Sequence, residues 1–350
     1  MRVLLLGGTG VLSQDIAQRC VDLGYDTYLL NRGKQLQFAP YGSKTIIGNV
    51  KELATSFINQ DSHFDVVVDF LSYNRKQIER SFEFFKDRCQ QFIVISSATI
   101  YNATPNDMAI TESNFLPYTD WSYTRGKIDV EHYIKQRMGN KATYTIVRPY
   151  ITYGKTRIPY ALIPKKAQWT LIQYMLSGQP VPVWDSKSLF PLMNTVNFAE
   201  QFVKLFLNSK AINETYHIVG NEYFTWPLVI EEIAKALGIA PQIKEVSLDT
   251  VLQYVPEAKE ALENKSVTRI FNTDKLYNCI GECSPFTRFL DGMHETLGFY
   301  KLNPEFQNID HIMLKNYKDM LSGKPPSRRR GVRERAVSRF PVLYKRAPRR

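Results

Sequence analysis

Tyr123 and Lys127 stand four residues apart in WSYTRGKIDVEHYI, in a stretch patterned as a helix. That spacing brings two side chains onto one helix face. A phenol ionises near pH 10 and is a poor base at neutral pH, but an adjacent ammonium favours its phenolate. The tyrosine can then exchange a proton with a substrate hydroxyl, and the lysine can also hold a cofactor ribose. A Y-x-x-x-K pair alone arises by chance, so its meaning depends on the elements that position it.

The amino terminus, MRVLLLGGTGVLSQDIAQRC, supplies the first of these. The apolar run Val3–Leu6 reads as a buried parallel strand, which enters Gly7-Gly8-Thr9-Gly10 and then an apolar-periodic helix with Val11, Ile16 and Ala17. This is the strand–glycine turn–helix context of a dinucleotide fingerprint, in which a pyrophosphate rests on the helix amino end. Gly7, Thr9, Gly10, Val11 and Leu12 are therefore the candidate cofactor cradle; the third glycine of the pattern is replaced by Ser13. A strand starting at residue 2 leaves no room for a secretory or transit segment before it, so none is expected. The second element is QFIVISSATIYN, another apolar strand ending at Ser96-Ser97. Ligands of open parallel sheets bind at such strand ends, where a hydroxyl can bond the reacting oxygen, although serines there also cap helices.

With GGTG, SSATIY, YTRGK and VRPYITYG in this order, the chain resembles the extended short-chain dehydrogenase/reductase family, the NAD-dependent epimerase/dehydratase group that mostly handles sugar nucleotides. The resemblance runs from residue 1 to about residue 320. It implies that Ser97 orients the substrate oxygen, Tyr123 is the acid/base, and Lys127 binds ribose and lowers the tyrosine pKa. It also places a substrate hydroxyl at Thr99, an adenine contact at Asn49, and a homodimer on the two helices that follow the fourth and fifth strands. The family's dehydratases carry Asp-Glu where this chain has Ala98-Thr99, so loss of water is not expected. Where the family has a diphosphate-clamping arginine the sequence has Phe190, which can stack on a ring but cannot neutralise phosphate; Lys155, Arg157, Lys165, Lys166 and Lys187 are other sources of that charge.

Cofactor choice turns on LLNRGK at the end of the second strand. An acidic residue there accepts hydrogen bonds from the adenosine ribose and favours NAD. Asn31 and Arg32 occupy the place, and an arginine suits a 2′-phosphate, so NADP is favoured over NAD.

Strand patterns at 2–6, 26–30, 44–47, 64–70, 91–96 and 143–148 alternate with helical ones at 11–23, 51–59, 74–88 and 121–138. The rhythm predicts an α/β fold, a doubly wound parallel Rossmann sheet. After Gly154 four prolines break it. A helix at 196–208 and a strand at 215–219 return to the first domain, and helices at 226–237, 284–297 and 304–320 build a smaller, interleaved carboxy-terminal substrate domain. The expected domains are thus 1–152 with about 195–222, and about 153–194 with 223–320. Ile78, Phe82 and Phe85, and later Ile128, Ile134 and Met138, are expected core positions with some surface left for a second subunit.

The formal charge of +11 is concentrated in one place. Residues 324–350 hold 11 of the 45 basic residues and one of the 34 acidic ones, leaving the rest at +1. The neutral body gives no nucleic-acid footprint, and no recognition motif accompanies the tail, so specific nucleic-acid binding is excluded from the reading. The tail reads as a solvated terminus or as an attachment to an anionic membrane surface. No apolar run reaches a membrane span. The four cysteines lack framework spacing and the five histidines lack ligand spacing, so no metal is expected. A cytoplasmic protein, with peripheral membrane attachment through the tail, is the expectation. The activity expected is an epimerase or ketoreductase acting on an activated, nucleotide-linked sugar. A dehydrogenase of another small carbonyl or alcohol, and a non-catalytic cofactor-binding scaffold, are the alternatives.

Overall fold

Strands buried on both faces need apolar side chains at every position, and this chain has such runs at the first, fourth and fifth strands. In the structure, a computed structural model that describes residues 1–55, 62–101, 109–114, 119–137, 143–164, 166–326 and 337–339, these runs form the centre of one sheet. Its strands are β1 (Arg2–Leu6), β2 (Asp26–Asn31), β3 (Lys44–Ile47), β4 (Phe64–Asp69), β5 (Cys89–Ile95), β6 (Thr143–Pro149) and β7 (Glu214–Ile218). They lie in the order β7-β6-β5-β4-β1-β2-β3, all parallel. The order reverses after β1, which pairs with both β2 and β4. In doubly wound sheets the ligand crevice opens at that point, beyond the strand ends.

Alternation along the strands divides the core in two. Val3, Leu5, Val66, Val68 and Ile93 face one side, against α1 (Ser13–Asp22) and a later helix containing Phe198 and Phe202. Leu4, Leu6, Val67, Phe92 and Val94 face the other side, against α2 (Arg75–Phe85) and α3 (Ser122–Gln136). Ile78, Phe82, Phe85 and Ile134 are consumed by this second layer, being 4 % exposed or less. Ile128 is half-buried, and Met138 lies outside the described residues. One element differs from expectation: instead of a helix at 51–59, Val50–Thr55 forms 3-10 turns interrupted at Glu52, whose φ of −122° is not helical, and 56–59 lies outside the described residues.

The chain divides into two compact units. The first contains Met1–Tyr153, Leu189–Tyr223 and Val267–Thr287, so a third segment near 267–287 belongs to it as well. The second contains Gly154–Ser188, Phe224–Ser266 and Arg288–Arg350. In that second unit the helix Trp226–Leu237 starts on the Thr225 side chain, which accepts the Leu228 N–H, and stops at Gly238 with φ +69°. Both are the end signals such helices use. Trp184, Trp226 and Tyr160 pack there with ring centroids 5.0 to 6.2 Å apart. Three residues of the basic tail, Val337–Arg339, pair antiparallel with Asn308–Asp310. Among the described residues no helix is long and apolar enough to cross a membrane.

Candidate active site

The glycine turn joins β1 to α1, and its shape needs its glycines. Gly7 has φ +93°, and a Cβ there would come within 2.8 Å of Leu71 Cδ2. A Cβ on Gly8 would meet Leu29 Cδ2 at 2.6 Å. Ser13 does more than replace a glycine: its hydroxyl donates to Gly7 O at 2.6 Å and accepts from Gly10 N–H at 2.8 Å, closing the turn on itself. Thr9 is buried, and Val11 and Leu12 precede the helix proper, where amides lack intrahelical partners and can face an anion.

At the end of β2, Asn31 is 8 % exposed; its Oδ1 accepts the Gly33 N–H at 2.8 Å. Its Nδ2 is buried and has no hydrogen-bond partner among the described residues, a donor left for a ligand oxygen. Arg32 beside it is exposed. Gly48 N–H bonds Asn31 O at 2.9 Å, bringing the end of β3 and the half-buried Asn49 to the same edge; Asn49 Oδ1 accepts from Lys51 N–H. A turn shaped by glycines and a buried, unpartnered amide donor fit a dinucleotide. Gly7, Thr9, Gly10, Val11 and Leu12 would hold its pyrophosphate, and Asn31, Arg32 and Asn49 its adenosine end.

The reacting end is built where β5 meets α3. Ser97 follows β5 and starts a short 3-10 turn, Ala98–Ile100; Ser97 is 5 % exposed and Thr99 is half-buried. Thr99 Oγ1 donates to Ser97 Oγ at 2.9 Å, and Thr124 Oγ1 on α3 donates to Thr99 Oγ1 at 3.4 Å. Tyr123 lies one residue before Thr124 and is half-buried. Its ring packs against Trp121, centroids 5.1 Å apart, and Tyr73, 6.2 Å apart. The structure thus brings Ser97, Thr99, Tyr123 and Lys127 to one corner of the first unit.

Lys127 is 2 % exposed. Its Nζ donates to Ile95 O, the last residue of β5, at 2.7 Å and to Ser72 O, in the loop after β4, at 2.8 Å. The Tyr73 ring centroid is 4.4 Å from the same nitrogen. Burial pushes the Lys127 pKa down to about 8, against the opposing pull of the Asp69 and Glu131 carboxylates. Asp69, at the end of β4, has no exposed surface; its carboxylate accepts from the backbone N–H groups of Leu71 and Ser72 and from the hydroxyls of Ser72 and Ser81. It holds the 70–74 loop.

One helical turn beyond Lys127, Glu131 is fully buried and receives both a 2.8 Å and a 2.6 Å bond from Arg148 of β6. Burial alone would raise its pKa, but this two-pronged bond keeps it below the usual carboxylate range. Arg148 also bonds Tyr101 Oη at 2.6 Å and Glu112 O at 3.0 Å.

Phe190 sits in the strand Phe190–Asn194 with no exposed surface, so its ring is not presented to a ligand in this arrangement. Among the described residues, the aromatic rings near the pair are those of Trp121 and Tyr73, and Tyr73 is absent from the residues singled out by sequence. Lys155, Arg157, Lys166 and Lys187 belong to the second unit, and Lys165 lies outside the described residues.

The sequence pattern of the NAD dependent epimerase/dehydratase family matches residues 3–219. No curated protein matches the chain significantly. Among solved structures, UDP-glucuronic acid 4-epimerase from Bacillus cereus in complex with NAD shares 16% identity, covers 86% of this chain and 99% of its own, and superposes with a TM-score of 0.67. UDP-glucose 4-epimerase from Bifidobacterium longum in complex with NAD+ and UDP shares 16% identity over 87% of this chain and 100% of its own, with a TM-score of 0.70. dTDP-glucose 4,6-dehydratase from Bacillus anthracis in complex with NAD shares 19% identity over 87% and 98%, with a TM-score of 0.69. At such identities the likeness is one of fold. With a family pattern matched across well over half of its length, the chain belongs to the NAD dependent epimerase/dehydratase family.

Proposed function

We propose that this protein is an NAD(P)-dependent nucleotide-sugar epimerase or ketoreductase that moves a hydride at a sugar carbon, with Tyr123 as the acid/base. The nicotinamide ring accepts and returns the hydride when bound. Tyr123 takes the proton of the sugar hydroxyl as that carbon is oxidised and gives one back on reduction. Ser97 donates a hydrogen bond to the same oxygen, with Thr99 beside it. Lys127 holds its charge near the phenol and so favours the phenolate; its two carbonyl bonds leave a third N–H for a ribose hydroxyl.

The observation that carries this reading is the tie between strand end and helix: Ser97, Thr99 and Thr124 in a chain of hydroxyls, with Lys127 bonded to Ile95 O. Ala98-Thr99, in place of an acid pair, argues against dehydration. Asn31 and the exposed Arg32 favour NADP, although the solved relatives named above were captured with NAD. The buried Phe190, standing where a phosphate-clamping arginine is expected, favours as second reading a reductase of another small carbonyl. A homodimer, and an anionic membrane surface for the tail, complete the proposal. Tyr123→Phe should leave folding and cofactor binding nearly intact and lower turnover of a nucleotide-sugar panel by about 10² to 10⁴, the usual share of a positioned acid/base. Turnover close to wild type would remove Tyr123 from the mechanism.

A further inference from the structure

Tyr73 touches the proposed catalytic pair, and the chain makes unusual provision for placing it. Its backbone carbonyl lies only 2.1 Å from where a Cβ on Gly126 would stand, so any other residue at 126 would push the Tyr73 backbone off α3. Glycine is among the least favourable residues in a helix interior, so this notch is maintained against propensity. The loop is fixed from its other side as well. Tyr73 N–H bonds Gln77 Oε1 at 2.7 Å, Asn74 caps α2, and Asp69 takes the Leu71 and Ser72 amides. The result puts the Tyr73 ring 4.4 Å from Lys127 Nζ and 6.2 Å from the Tyr123 ring. A cation at that distance from a ring face is attracted by it.

We propose that Tyr73 is a positioning residue for the Tyr123–Lys127 pair: its ring covers one side of the Lys127 ammonium and, with the carbonyls of Ser72 and Ile95, restricts water's access to it, and Gly126 is the notch that lets it do so. Enclosure keeps the ammonium's field unscreened at Tyr123, where bulk water would weaken it. The role rests on the reading of Tyr123 and Lys127 as an acid/base pair, and the enclosure itself can be tested without that reading.

The test is amine acylation of the full-length protein at pH 8, resolved by residue with mass spectrometry, in wild type, Tyr73→Phe, Tyr73→Ala and Gly126→Ala. The exposed Lys76 serves as the internal reference. Lys127 should acylate slowly in wild type and Tyr73→Phe and severalfold faster in Tyr73→Ala and Gly126→Ala, with Lys76 unchanged throughout. Turnover should fall in Tyr73→Ala, in kcat more than in KM, and be restored in Tyr73→Phe. The Gly126→Ala arm keeps the test decisive if Tyr73→Ala unfolds. Lys127 reacting no faster in Tyr73→Ala and Gly126→Ala than in wild type would overturn the proposal. If acylation follows the ring while Tyr123→Phe keeps its turnover, the acid/base reading fails and the enclosure stands; the opposite pattern sinks the enclosure alone.

Discussion

Replacing Lys127 by methionine separates its electrostatic cost from its structural contribution. The displacement of its pKa from 10.5 to about 8 means that folding the charged form at neutral pH costs about 3 kcal/mol more than folding the neutral one. Methionine avoids that cost but strips Ser72 O and Ile95 O of their donor, at about 1–3 kcal/mol for each buried carbonyl left unpaired. The two effects are of similar size, so stability at pH 7 should change little while turnover is lost. The pH dependence is the sharper readout. Because the folded state disfavours the ammonium, the unfolded chain binds more protons at this site between pH 8 and 10.5, and wild-type stability gains from it as pH rises through that window. The methionine variant has no such site. Guanidinium unfolding at pH 7 and pH 10 should therefore show wild type gaining about 2–3 kcal/mol on Lys127→Met between the two. Groups common to both proteins cancel in the difference. A gap that stays constant to within about 1 kcal/mol would refute the burial argument for Lys127.

Three further outcomes are expected. Arg32→Ala should weaken NADPH binding by roughly 1–3 kcal/mol and barely change NADH; equal losses in calorimetric titration would contradict the 2′-phosphate role. Arg148→Met leaves Glu131 charged and buried with only the half-exposed Lys135, 3.5 Å away, as a cationic partner and should cost about 3–5 kcal/mol in chemical denaturation, most of it recovered in Glu131→Leu/Arg148→Met. A double variant no more stable than the single one would refute the pairing argument. Removing residues 327–350 should leave turnover of a soluble substrate within about twofold and remove salt-sensitive binding to anionic vesicles, to which each basic residue contributes about 1 kcal/mol. Loss of catalysis would make the tail part of the folded enzyme, and a full-length chain that ignores vesicles would end the membrane reading.

What could be read from sequence is what local physics determines. Val3–Leu6 had to be a strand buried on both faces, and Gly7-Gly8-Thr9-Gly10 had to be a turn. Four-residue spacing alone was enough to put Tyr123 and Lys127 on one face. Tyr73 was invisible, because its meaning depends on β4 lying beside β5 and on α3 packing over the loop between β4 and α2; no interval in the sequence encodes that meeting. Gly126 was legible only as a weak helix residue until the carbonyl filling its missing side chain could be located. At 51–59 Leu53, Ala54, Phe57 and Ile58 are spaced as on one helix face, but the backbone breaks at Glu52. Phe190 shows the reverse limit, since alignment can assign it a place in the pattern but only the strand shows it to be buried. Arg148 and Glu131 are ordinary surface types by composition, and only the neighbouring positions of β6 and α3 make them an interior pair.

If the turn holds a pyrophosphate as proposed, the Ser13 hydroxyl has a consequence for how fast a dinucleotide is captured. A glycine-rich turn is the segment with the most backbone freedom to lose, about 1–2 kcal/mol per residue when its dihedrals are fixed. Here two hydrogen bonds from one buried side chain, to Gly7 O and from Gly10 N–H, fix the turn while the chain folds. The ordering entropy is thus charged to folding, and an arriving pyrophosphate meets a finished cradle. Association then waits only for encounter and orientation, so differences in affinity among dinucleotides fall chiefly on how long each one stays.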